Sequence, residues 1–245
     1  MTQSVGATTR GETLSGVDWA NADLTDAVFI DCVIEDARLD DARLEGARFE
    51  RCRIVRRQFA GADLRQAVFE DCVFADRTAP EGASFTFCKL DGARFLRCDL
   101  AFCRFDRSAL YGVEMQDCNL RGAQFRGVDF SKPLGRKSIK ASAVLRGCNF
   151  GLADLSQARL PGCDLSRSSF READLSNADL EGADLRDSEL YRAILSGAKL
   201  AGADLRGAEV SGLDLTLLGS RAGLKVTADQ QYALLTALGV EVSGE

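Results

Sequence analysis

A five-residue phrase runs through this chain, clearest in Ala173-Asp174-Leu175-Ser176-Asn177, Ala178-Asp179-Leu180-Glu181-Gly182 and Ala183-Asp184-Leu185-Arg186-Asp187. Each phrase has a large apolar residue at its centre and a small residue (Ala, Cys or Ser) two places earlier, while the positions after the centre vary freely. A period of five matches neither the 3.6 of an amphipathic helix nor the alternation of a half-buried strand. It fits a solenoid in which each pentad forms one side of a square coil, four pentads close a turn, and two residues in every five point inward. Residues twenty apart then lie over one another, and coils stack at about 4.8 Å.

The centres run from Leu14 to Phe74, from Phe85 to Phe130 and from Leu145 to Leu215, or thirteen, ten and fifteen pentads. That is roughly nine and a half coils and a rod about 45 Å long. The register predicts an aromatic column of Phe29, Phe49 and Phe69. Its weakest point is the pentad of Phe59, where Arg57 takes the small position and a bulge or an outward-turned Arg57 is expected. Of the 14 Phe residues, twelve are centres, and Phe87 and Phe102 stand at outward positions. Packing beneath a neighbouring loop is the favoured account of those two, and a partner-binding patch is the sharper one. Gly182, Gly197, Gly202, Gly207 and Gly212 recur two places after a centre, as corners require.

Nine Cys residues raise disulfide and zinc readings. Cys32, Cys52, Cys72, Cys88, Cys98, Cys103, Cys118, Cys148 and Cys163 all occupy the small inward position, so they are expected to be compact core residues. Cys98 and Cys103 are neighbours in phase, but the chain has no His to complete a metal site.

Two excursions interrupt the beat. Phe85 stands eleven residues after Phe74 where the beat allows ten, an insertion within Asp76-Arg77-Thr78-Ala79-Pro80-Glu81-Gly82. Between Phe130 and Leu145 runs a basic stretch, 131–142, containing Lys132, Pro133, Arg136, Lys137 and Lys140. Pro and Gly mark both as loops. Beyond Leu215 the beat is expected to stop. Residues 227–239 read as a short helix beginning near Thr227 or Asp229 and ending at Gly239. That helix could cover the open end of the coil or pair two chains.

The pentads resemble those of the pentapeptide-repeat family, and the resemblance implies a fold that is all-β, a right-handed quadrilateral β-helix with two loop excursions and a short C-terminal helix. The loop phrase Asp76-Arg77 with Gly82, the second loop, and Leu234-Leu235-Thr236-Ala237-Leu238-Gly239-Val240 resemble the Qnr group of quinolone-resistance proteins. That resemblance implies a homodimer joined at C-terminal ends, a DNA-like shape and charge, and the type II topoisomerases DNA gyrase and topoisomerase IV as partners. By this reading the partner-binding residues are Asp76, Arg77, Thr78, Pro80, Glu81, Gly82, Lys132, Pro133, Arg136, Lys137 and Lys140. The dimer residues are Tyr232, Leu234, Leu235, Leu238 and Val240. Residues 1–12 are expected to form a tail, 13–219 the repeat and 220–245 the helical cap. The chain's own loop residues Thr78-Ala79-Pro80-Glu81 and Arg136-Lys137 depart from the group, which makes topoisomerase binding a firmer expectation than drug protection.

Net charge is −6 overall, distributed as −5 over residues 1–75, +4 over 76–144 and −5 over 145–245. A C-terminal dimer would have an acidic centre suited to a cationic DNA-binding saddle; plain solubility explains the same charge, since Asp is a common letter of the repeat. No cofactor is expected. Without His, a P-loop or a distinguishable carboxylate pair, an enzyme is disfavoured. Direct nucleic-acid binding is disfavoured by the acidity. The alternative function is a non-catalytic scaffold with another protein partner. The lack of an apolar leader or span points to no membrane and a cytoplasmic location.

Overall fold

The computed structural model describes residues 4–55, 58–76, 81–134 and 138–242. The chain winds into a parallel solenoid with four sides per coil. On side one, strands Thr8–Arg10, Val28–Ile30, Arg48–Glu50, Val68–Glu70, Arg94–Leu96, Glu114–Gln116 and Val144–Arg146 form one seven-stranded parallel sheet. Single bridges carry that side on through Asp164, Asp184 and Asp204 to Lys225. Side two stacks Thr13–Ser15, Val33–Glu35 and Arg53–Val55 and continues as bridges to Glu209. Sides three and four are bridge ladders, as from Asp18 to Arg38 and from Asp23 through Arg43 to Asp63. Apart from the corner bonds within a coil, such as Ala22 N to Trp19 O, the backbone hydrogen bonding runs between coils, which is why no pentad is stable without its neighbours.

Inside, rings stack along the axis. Phe29, Phe49, Phe69 and Phe95 form the column expected on side one, with successive centroids 4.8, 4.9 and 4.8 Å apart. Phe59, Phe85, Phe105 and Phe125 build a second column on side three at 4.8, 5.0 and 4.6 Å. Phe74, on side two, meets Phe69 and Phe85 edge-on at 5.4 Å each and ties the columns together. Such offset and edge contacts add to area burial.

All nine thiols are free and buried. Six of them, Cys32, Cys52, Cys72, Cys98, Cys118 and Cys148, repeat at the same corner in successive coils. Most donate to a side-one carbonyl of the coil before, as Cys52 Sγ does to Phe29 O (3.4 Å) and Cys72 Sγ to Phe49 O (3.3 Å). Ser168 takes the next rung and donates to Leu145 O at 2.7 Å. Burial pushes the Cys88 and Cys163 thiols up to about 12. Among the described residues no His/Cys/Asp/Glu cluster could hold a metal ion.

The corners explain the freedom of the position two after each centre. It has positive φ whether the residue is Gly207 (75°), Asp26 (55°) or Arg51 (50°). Gly is the cheapest residue there. Asn and Asp tolerate it better than most other side chains.

Three boundaries differ from the sequence reading. The ladder begins at Thr8 within the expected tail, because Thr9 takes a centre position and is 9% exposed. Phe74 and Phe85 occupy consecutive sides, since Ser84 bridges Gln58 and Arg104, so the first excursion is longer than the single extra residue the beat suggests. At the far end the beat does not stop at Leu215. A 3-10 turn at Leu215–Leu217, capped by Asp214, absorbs one residue, and Ser220 and Lys225 still bridge Lys199 and Asp204. Coil structure thus extends into the stretch assigned to the cap. Arg57 lies outside the described residues.

Candidate partner-binding surfaces

The first excursion leaves side two as an antiparallel pair, Ala75–Asp76 with Glu81–Gly82. It lies on the corner between sides two and three. There a Cβ on Gly82 would collide with the Ala101–Cys103 backbone, so the close approach requires glycine. Beside it the outward positions Val55, Ala75 and Ala101 are buried. Asp76 is itself 7% exposed, so of the expected partner-binding residues Glu81 is the exposed charge in the described part of this loop. Arg77, Thr78 and Pro80 lie outside the described residues.

The second excursion is a hairpin of Ser131–Leu134 with Ser138–Ala141, which places Lys132 opposite Lys140 and Pro133 opposite Ile139. Lys132 is exposed, with Nζ 3.5 Å from Asp91 and 5.8 Å from the centroid of Tyr111. These contacts aim the hairpin along side four toward earlier coils. Arg136 and Lys137 lie outside the described residues.

At the C-terminal end, a 3-10 turn at Ala228–Gln230 leads into helix α1 (Gln231–Ala237), and Gly239 (φ 75°) follows it. Leu234 faces the core, whereas Tyr232, Leu235, Leu238 and Val240 are exposed, as is Leu217. The expected dimer residues therefore separate into one that seals the coil and four that form an uncovered apolar surface. Sequence reasoning missed the residue that fastens this cap. Gln230 is 5% exposed, accepts from Thr227 N and donates to both Leu205 O and Ala208 O at 2.7 Å. The Thr227-to-Gln230 spacing, that of a capping box, is the signal that could have found it.

The charge is structured as well. The Asp before a centre accepts the backbone N–H two residues on, as Asp154 does from Ser156 (2.9 Å), Asp174 from Ser176 (2.8 Å) and Asp214 from Thr216 (2.8 Å). This turn-closing bond makes Asp a letter of the repeat. On side one, Asp164, Asp184 and Asp204 are also bound by Arg146, Arg186 and Arg206. The Arg206 bond holds Asp204 down to about 2. On side three, Asp154, Asp174 and Asp214 have no Lys or Arg partner among the described residues, and no cation occurs in pentads 153–157, 173–177, 193–197 or 213–217. Side three of the C-terminal half thus carries free carboxylates and no cation, while other unpaired carboxylates, such as Glu172, Asp179 and Asp187, lie elsewhere on the coils.

Among the described residues no helix is long and apolar enough to cross a membrane. A profile described as "Pentapeptide repeats" matches residues 13–46, 148–187 and 187–217, and a second of the same description matches 90–132. The chain is 31% identical to the "Quinolone resistance pentapeptide repeat protein QnrB96" of Scandinavium goeteborgense and 30% identical to the "Pentapeptide repeat protein QnrB4" of Escherichia coli. Each alignment runs over 90 residues, 37% of this chain and 42% of the relative, so it spans less than half the length of either relative. The solved full-length structure of QnrB1, described as "a plasmid-mediated fluoroquinolone resistance protein", matches over 96% of this chain and 100% of its own, with a TM-score of 0.75 at 26% identity. The repeat register, the buried small-residue corners and these likenesses together show that the chain belongs to the pentapeptide-repeat family and is Qnr-like in fold.

Proposed function

We propose that this protein is a non-catalytic, DNA-mimicking rod that binds a type II topoisomerase, DNA gyrase or topoisomerase IV, and protects it from quinolones. The observation that carries the reading is the near full-length likeness to a fluoroquinolone-resistance protein. A stiff solenoid with a row of unpaired carboxylates in its C-terminal half supports it, since the DNA-binding saddle of such an enzyme is cationic and attracts charge of that sign. The exposed apolar residues around helix α1 support a homodimer joined at the C-termini, which would double the acidic stretch about its centre. The two hairpins then stand on the arms, where they would contact the enzyme on either side of the DNA path. Localisation in the cytoplasm belongs to the same reading.

The test is a titration of gyrase-mediated supercoiling and drug-stabilised DNA cleavage, in the presence of a fluoroquinolone, with the full-length protein. Protection with direct binding is expected. Deleting part of 76–82 or of 131–142, so that the flanking centres keep a spacing of five, should leave the solenoid folded and reduce protection, because neither stretch supplies a centre. If the intact protein neither binds gyrase nor topoisomerase IV nor alters cleavage, a scaffold for another partner replaces this reading.

A further inference from the structure

Side three changes character along the rod. Upstream of its free carboxylates, three successive coils carry Phe87, then Arg104 and Arg107, then Arg126, and these residues line a concavity of about 610 Å³ closed at its far end by Asp154. Phe87 is the pattern-breaker. It is 55% exposed at a corner with φ 59°, a left-handed conformation that is an outlier for a bulky side chain. Phe102, the other outward Phe, has the same φ, but its ring lies over Gly122, where an added Cβ would come within 2.7 Å of Cδ1. Phe102 is thus accounted for by packing, and Phe87 is not. Across the groove mouth the Arg107 guanidinium sits 5.5 Å from the Phe87 ring centroid. Arg104 is held by Asp106 at 3.2 Å, while neither Arg107 nor Arg126 has a carboxylate partner among the described residues.

We propose that this groove is a docking site for an acidic peptide segment of a protein partner, one that places carboxylates on Arg107 and Arg126 and an apolar side chain on Phe87. Charge complementarity selects the occupant. Two unpaired guanidinium groups favour bidentate pairing with discrete carboxylates. A continuous phosphate backbone would instead run onto Asp106, Asp154 and the acidic side-three positions beyond. An exposed aromatic beside Arg is also the composition of interface hot spots. The groove and the free carboxylates share one side of the rod, so a single partner could engage both. That last step rests on the topoisomerase reading, but the groove's specificity does not.

Fluorescence anisotropy on the full-length protein tests it with two labelled probes, a Glu-rich decapeptide containing one Phe and an oligo-dT 20-mer. The peptide is expected to bind, to weaken as salt rises, and to lose at least tenfold in affinity in R107E/R126E; F87A should weaken it severalfold, and the oligonucleotide should not bind. Circular dichroism and melting temperature verify that the variants fold, and R167E/R192E, at two exposed Arg residues outside the groove, controls for net charge. The proposal is overturned if the peptide fails to bind, if R167E/R192E weakens it as much as R107E/R126E, or if the oligonucleotide binds more tightly. Any of these results is separable from the topoisomerase reading, which stands or falls on gyrase binding.

Discussion

At the residue scale, the same two inward positions decide nearly everything about this fold. Phe49 is 2% exposed and has stacked rings on both sides, at 4.8 and 4.9 Å. Truncation to Ala removes both contacts and opens a gap that the rigid backbone ladder cannot close. Phe49→Ala should therefore cost about 3–5 kcal/mol in chemical denaturation; a loss under about 1 kcal/mol would show that the column does not bear on stability. The inward register was legible because large and small residues alternate there with so few exceptions, and the Cys residues were placed correctly because they fall on the small position. Thr9 and Gln230 were not legible. Both are polar residues at coil ends, where only one neighbouring coil is present, and at Gln230 hydrogen bonds substitute for apolar packing.

At the scale of elements, the excursions were visible as breaks in the beat, but how many sides each one skips was not. A count of residues cannot distinguish a skipped side from a longer loop; the pairing of Ser84 with Gln58 does. The same ambiguity hid the continuation through Ser220 and Lys225, whose centre positions fall to Arg221 and to Val226, which is 36% exposed. The terminal cap was legible as a helix from its composition, and its consequence can be tested directly. Gln230 uses its amide to close two carbonyls of the last coil, and Leu234 covers the coil's apolar end. Removing residues 227–245 should expose both and leave a monomeric or aggregating product in place of the dimer proposed for the full chain, as read by multi-angle light scattering. A full-length monomer at micromolar concentration would contradict the dimer, and an unchanged dimer after truncation would place the interface elsewhere.

For the whole molecule, the net charge of each segment was readable from composition, but its division among sides was not, because which carboxylates meet an Arg depends on the twenty-residue overlay and on side-chain reach. That division yields the sharpest test of mimicry. Two sets of three carboxylates lie in the same half of the rod, and removing either changes net charge by the same amount. On side one, Asp164, Asp184 and Asp204 already bind Arg146, Arg186 and Arg206 and offer little free charge to a partner. On side three, Asp154, Asp174 and Asp214 are engaged only in turn-closing bonds to their own pentads. Asn preserves that acceptor while deleting the charge, so D154N/D174N/D214N should keep the fold. If the protein docks on a cationic saddle through side three, this triple variant should bind gyrase at least tenfold more weakly, with a flatter dependence on salt, because exposed attractions are screened over about 8–10 Å. D164N/D184N/D204N should bind within about twofold of the parent and instead lower the melting temperature, since it breaks ion pairs within the coil. Equal losses from the two triples would mean that net charge alone steers the encounter; a loss confined to the side-one triple would overturn the assignment of side three as the partner-facing surface.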